Sequence, residues 1–182
     1  MISLNNASPD ERLRVYLNDH LAGATAGIAL AKRIRDRNTG PVGQTFAELV
    51  PDLEDDERTL RDIIAAMEFS GSGAKQLLAD VVEKVGRLKL NGQIFGYSLL
   101  SKMEELEVMA LGIEGKAKMW SALQSVAERR PQLSKFDFEK LGVQARLQHD
   151  RVEALRIEAA REALAEGPAD RADAEAETAK AG

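Results

Sequence analysis

The 182-residue chain is predicted to be all-α: an up-down-up-down bundle of four long helices, with an additional short helix and a structured loop between helices two and three. Three observations predict it. Apolar residues recur at alternating steps of three and four over long stretches, the pattern of a helix with one buried face. Aromatic residues make up only 4% of the chain, so the core must be built from Leu, Ile, Val, Ala and Met, which suits close-packed helices. Caps and breakers fall between those stretches.

Helix one starts at Ser8, the cap, followed by Pro9 at the first helical position and Glu11 three residues on, completing a capping box. Its seam runs through Leu13, Leu17, His20, Ala24, Gly27, Ala31 and Ile34. Small residues from Ala22 to Gly27 predict close approach of a neighbouring helix, and Asn38 to Pro41 ends the element. Helix two carries Phe46, Leu49, Leu53, Glu57, Leu60, Ile64 and Met67 on one seam that continues across Pro51. Proline removes a backbone hydrogen bond, so the reading is one kinked helix over 41–69 or two abutting helices meeting at Pro51.

Ser70, Gly71, Ser72 and Gly73 break the chain, and Leu77, Leu78, Val81, Val82 and Val85 mark the buried side of a shorter helix. Residues 86–96 contain Asn91-Gly92 between alternating apolar residues, which reads as a hairpin or, in a helical chain, as a structured loop closing one end of the bundle. Helix three is expected from about Ser98 towards Arg129, stopped by Pro131, with Leu99, Met103, Leu106, Ala110, Ile113, Ala117 and Trp120 as its seam and Glu107 beside it. Helix four is expected over 134–165 through Phe138, Leu141, Ala145, His149, Val152, Leu155 and Ala159. Residues 1–8 form an N-terminal extension, 9–165 one domain, and 166–182 an acidic tail without a large apolar residue, expected to be disordered.

Composition narrows the function. A net charge of −5 argues against a nucleic-acid partner, which would need a basic face. With no cysteine, disulfides, zinc–thiolate sites and thiol catalysis are excluded. Residues 1–6 lack the regions of a secretory signal, and no apolar run approaches the roughly 20 residues that cross a bilayer. A cytoplasmic protein with no membrane partner is the expectation.

The chemistry points to the two histidines, His20 and His149, each on an apolar seam and each beside an aspartate. With a rise of about 1.5 Å per residue, His20 lies roughly 16 Å and Glu107 roughly 13 Å up an up-down-up-down bundle. Glu57 and His149 then fall roughly 20 Å up in a bundle roughly 42 Å tall. His20, Glu57, Glu107 and His149 are therefore the candidate metal ligands, with Asp19, Asp150 and Glu153 as further oxygen donors nearby. Imidazole with carboxylate suits non-haem iron, manganese or zinc, and two histidines with one carboxylate in a facial arrangement suit mononuclear iron. The plainer alternative is a buried His20–Glu107 hydrogen-bonded pair, with His149 joined to Asp150 or Glu153 near the surface.

Four long helices, a crossover region between helices two and three, and polar residues meeting at mid-bundle make residues 9–165 resemble the ferritin-like superfamily. The resemblance implies a di-iron site with carboxylates from two helices and a Glu-x-x-His from each of the other two. Glu57, Glu107 and His149 would stand for members of that set. Leu60 stands where helix two would carry histidine, Arg146 where helix four would carry glutamate, and His20 where helix one would carry a carboxylate. Two function classes follow: a non-enzymatic bundle acting by homo-oligomerisation or by binding a protein partner, and a metal-binding bundle with storage or oxidase-type chemistry.

Overall fold

The computed structural model describes residues 7–67, 69 and 97–165. The expected short helix at 77–85, the loop at 86–96, residues 1–6 and the acidic tail lie outside the described residues. Those described form four α-helices, α1 (Pro9–Arg37), α2 (Gly40–Ala66), α3 (Leu99–Ala127) and α4 (Phe138–Leu164), with a 3-10 turn at Pro131–Leu133. Among the described residues there is no strand, and no helix is long and apolar enough to cross a membrane.

The termini follow from local chemistry. The Ser8 hydroxyl accepts from Glu11 N (3.2 Å) and the Glu11 carboxylate accepts from Ser8 N (2.7 Å), so two of the orphan donors at the start of α1 are satisfied. Bonding to Ser8 also holds the Glu11 carboxyl below its usual range. At the other end Asn38 N donates to Ile34 O (3.1 Å), and Gly40, with φ 63°, takes the left-handed conformation that turns the chain into α2. α2 is continuous through Pro51. Pro51 and Ala47 both lie on the exposed face, so water can reach the carbonyl that proline leaves without its helical partner. Helix four starts later than the 134 expected: the 3-10 turn follows Pro131, and the Asp137 carboxylate caps α4 by accepting from Lys140 N (2.9 Å).

α1 packs along α2 and α3 along α4; the two pairs meet through α1 against α3 and α2 against α4, leaving α2 and α3 on a diagonal. Cross-helix pairs give the directions. Asp10 meets Arg130 (2.7 Å) at one end, Arg33 meets Glu105 (3.0 Å) towards the other, and Lys102 meets Glu162 (2.6 Å). α1 and α4 therefore run one way and α2 and α3 the other. The expected up-down-up-down order is thus corrected to up, down, down, up. Short connections force α1–α2 and α3–α4 antiparallel, whereas the long stretch between Met67 and Tyr97 allows α2 and α3 to run parallel.

The core comes in two apolar blocks. One gathers Leu17, Leu21, Leu60, Ile63, Trp120, Leu123, Leu133 and Phe138. The other gathers Ile34, Phe46, Leu49, Leu53, Leu106, Met109, Ile113 and Val152. Each fully buried Leu, Ile or Phe contributes about 1.5–3 kcal/mol. Between the blocks, α2 supplies Asp56, α3 supplies Lys116 and α4 supplies Gln148, while α1 supplies Gly23, Ala24 and Gly27. The middle of the bundle is therefore a polar layer with little side-chain volume on its α1 side.

Candidate functional site

That layer holds a cavity of about 340 Å³ bounded by α1, α2 and α3. Its walls are mainly apolar: Ala24, Ile28, Leu53, Leu60, Ile113, Met119 and Trp120. Asp19, His20, Asp56, Glu57 and Lys116 are the ionisable side chains lining it. It opens to solvent where Asp19, Gly23 and Gly112 are exposed.

Glycines make the space. A Cβ placed on Gly23, Gly27, Gly112 or Gly115 would meet nothing within 4 Å. The expectation that small residues on helix one seat a neighbouring helix closely is therefore corrected at Gly23 and Gly27: they leave room. Glycine in a helix interior costs roughly 0.5–1 kcal/mol relative to alanine, and no close contact here repays it.

One wall carries a buried polar network. The Lys116 ammonium donates to the Asp56 carboxylate and to the Gln148 side-chain carbonyl, and Gln148 Nε2 donates to the same Asp56 oxygen at 3.3 Å. Burial pushes the Lys116 amine below its usual value, opposed by the attraction of Asp56. Glu57 Oε1 accepts from the Thr25 hydroxyl (2.6 Å) and from Arg61 (2.9 Å). His20 packs edge-to-face on Tyr16, ring centroids 4.6 Å apart, and burial pushes its imidazole below the usual value, with Asp19 opposing. Trp120 is fully buried, and its indole N–H has no partner among the described residues. An unsatisfied buried donor in a cavity wall is a group that an ordered water or an occupant completes.

Of the four candidate ligands, the structure brings His20 and Glu57 to this cavity and leaves Glu107 and His149 outside it. Glu107 has a side chain 53% exposed and lies 4.0 Å from Arg156. The level assigned to it assumed that α3 runs parallel to α1; with α3 antiparallel, its height is counted from the opposite end. The pairing of His20 with Glu107 falls for the same reason. His149 sits at the bundle surface, its Nδ1 3.3 Å from Asp150, and Glu153 is instead held by Arg156 (2.6 Å). Among the described residues no three His, Asp or Glu side chains converge as a metal site.

Asp56, Lys116 and Gln148 are the site residues that pattern reading passed over, although the signal was present. Asp56 lies three after Leu53 and four before Leu60, Lys116 three after Ile113 and four before Trp120, and Gln148 three after Ala145 and four before Val152. No protein-family model matches the chain, and no curated protein or solved structure matches it.

Proposed function

We propose that this chain is a non-enzymatic, ferritin-like binding bundle whose mid-bundle cavity takes a small, largely apolar molecule. The cavity carries the reading: its volume falls in the range of small-ligand sites, about 300–1,000 Å³, and its mix of apolar walls with a few placed polar groups is their usual composition. The parallel α2 and α3 support the ferritin-like part, since that fold joins two antiparallel pairs by one long crossover. A non-enzymatic role is supported by the state of the polar groups. Lys116 and Asp56 satisfy one another, and Glu57 is engaged by Thr25 and Arg61. The test is thermal unfolding with 4-phenylbutan-1-ol: the melting temperature rises in the wild type and not in Gly27→Leu, whose side chain fills the space. No rise in the wild type would sink the reading.

The metal-binding alternative retains one supporting observation, that His20 and Glu57 line the same cavity. Two protein ligands from this pair would leave most of the coordination of iron, manganese or zinc to other donors. Metal content of tag-free protein, compared with His20→Ala, tests it: near-stoichiometric metal lost in the variant would establish the site.

A further inference from the structure

We propose that the cavity selects a small apolar molecule carrying one neutral hydrogen-bond acceptor, the carbonyl of a ketone, ester or amide. The inference rests on the binding reading above and names the class of ligand. Donors left over in the cavity wall carry it. Trp120 lines the cavity and is fully buried, and its indole N–H has no partner among the described residues. An indole can only donate, and bulk solvent does not reach it, so its acceptor has to come from within the cavity. Asn18 Oδ1 and Glu105 Oε2, buried acceptors likewise without a partner among the described residues, belong to residues that do not line the space.

Lys116 stands one turn away. It lines the cavity from the same helix as Trp120, four residues earlier, and residues four apart share a helix face with Cβ atoms about 5–6 Å apart. An ammonium has three hydrogens to donate, and Asp56 and Gln148 take two of them. Asp56 also balances the charge, so what Lys116 offers an occupant is a spare N–H rather than a net charge. The other ionisable groups in the lining are served already. Glu57 is held by Thr25 and Arg61, and Asp19 and His20 are within reach of water. A carbonyl oxygen has two lone pairs and can accept from both donors while its apolar body lies against Leu60, Ile113 and Met119. A hydrocarbon of the same shape fills the space but leaves the indole N–H unpaired.

The experiment compares 4-phenylbutan-2-one with 2-methyl-4-phenylbut-1-ene, which carries C=CH2 in place of C=O. Both are titrated by isothermal calorimetry into the wild type and into Trp120→Phe, which keeps an aromatic ring in the wall and removes the N–H. The ratio of the two dissociation constants, compared between the proteins, cancels what each probe loses on leaving water. We expect that ratio to shift towards the alkene by about fivefold in the variant, the worth of one hydrogen bond. In the wild type the ketone should also move the indole N–H resonance of the single tryptophan downfield, and the alkene should not. That signal decides the question alone if the variant fails to fold. An unchanged ratio, or a resonance that responds alike to both probes, would overturn the acceptor assignment and leave the cavity reading standing. No binding by either probe would overturn both readings.

Discussion

Lys116 of α3 and Asp56 of α2 are joined across a diagonal of the bundle, between two helices that do not pack side by side. The pair sits between two apolar blocks and is completed by Gln148 of α4, so three helices are tied at one level. Taking both charges out of water is costly, and the pair holds only because each group satisfies the other. Removing one partner leaves the other charge buried. Lys116→Met alone should cost about 3 kcal/mol in urea unfolding, whereas Lys116→Met with Asp56→Leu and Gln148→Leu, which leaves no member of the network unpaired, should return to within about 1 kcal/mol of wild type. Equal losses in the single and triple variants would show that the network is not the source.

Glycines give a second, signed prediction. Gly23→Ala and Gly112→Ala should each stabilise by about 0.5–1 kcal/mol, because alanine is the better helix former and its methyl meets only space. Gly43→Ala should do the opposite, since its Cβ would run into the backbone carbonyl of Asn38 where α2 passes the end of α1. Melting temperatures of the three variants check the signs. Destabilisation by Gly23→Ala would mean that the cavity is filled or collapsed in solution.

The stability should depend on pH through His20. Its imidazole is held below the ordinary 6.5 by burial, so just below that value the unfolded chain binds more protons than the folded one. Stability then falls as pH drops through 6.5 towards the folded value, with Asp19 moderating the loss. Urea midpoints from about pH 7.5 to about pH 5 should show the wild type losing ground against His20→Gln. A constant difference between the two would contradict the assignment.

Two exposed apolar strips make self-association testable. Val108 and Leu111 on α3 and Val143 and Leu147 on α4 are exposed, Leu111 by 67% and Leu147 by 60%. Residues three or four apart share a helix face, so each pair forms a short outward apolar strip. Sedimentation velocity should show a concentration-dependent dimer that Leu111→Glu with Leu147→Glu converts to monomer. A wild type that stays monomeric would leave the strips without that role.

The fold class and three of the helix starts were legible in the sequence, because caps and seams are local: Ser8, Pro9 and Glu11 specify the start of α1 without help from the rest of the chain. The direction of α3 was not legible, since it depends on a long connection with no geometric signature. The site was legible in part: His20 and Glu57 line the cavity, and Lys116 was passed over. With 3.6 residues per turn, steps of three and four both fit a seam, and neighbours lie about 100° apart around the axis. Glu107 and His149 adjoin the buried Leu106 and Gln148 and fall outside the cavity, whereas Glu57 lines it beside the buried Asp56. Polar residues do meet at mid-bundle as expected, but the cation there is the ammonium of Lys116.

The central claim is that the space between α1, α2 and α3 receives a ligand. Its most direct test is the indole N–H resonance of Trp120, one signal from the only tryptophan, followed while 4-phenylbutan-1-ol is added to the wild type and to Gly27→Leu. The account predicts a saturable shift in the wild type and none in the filled variant. An unmoved signal in the wild type, or an equal shift in both proteins, would contradict it.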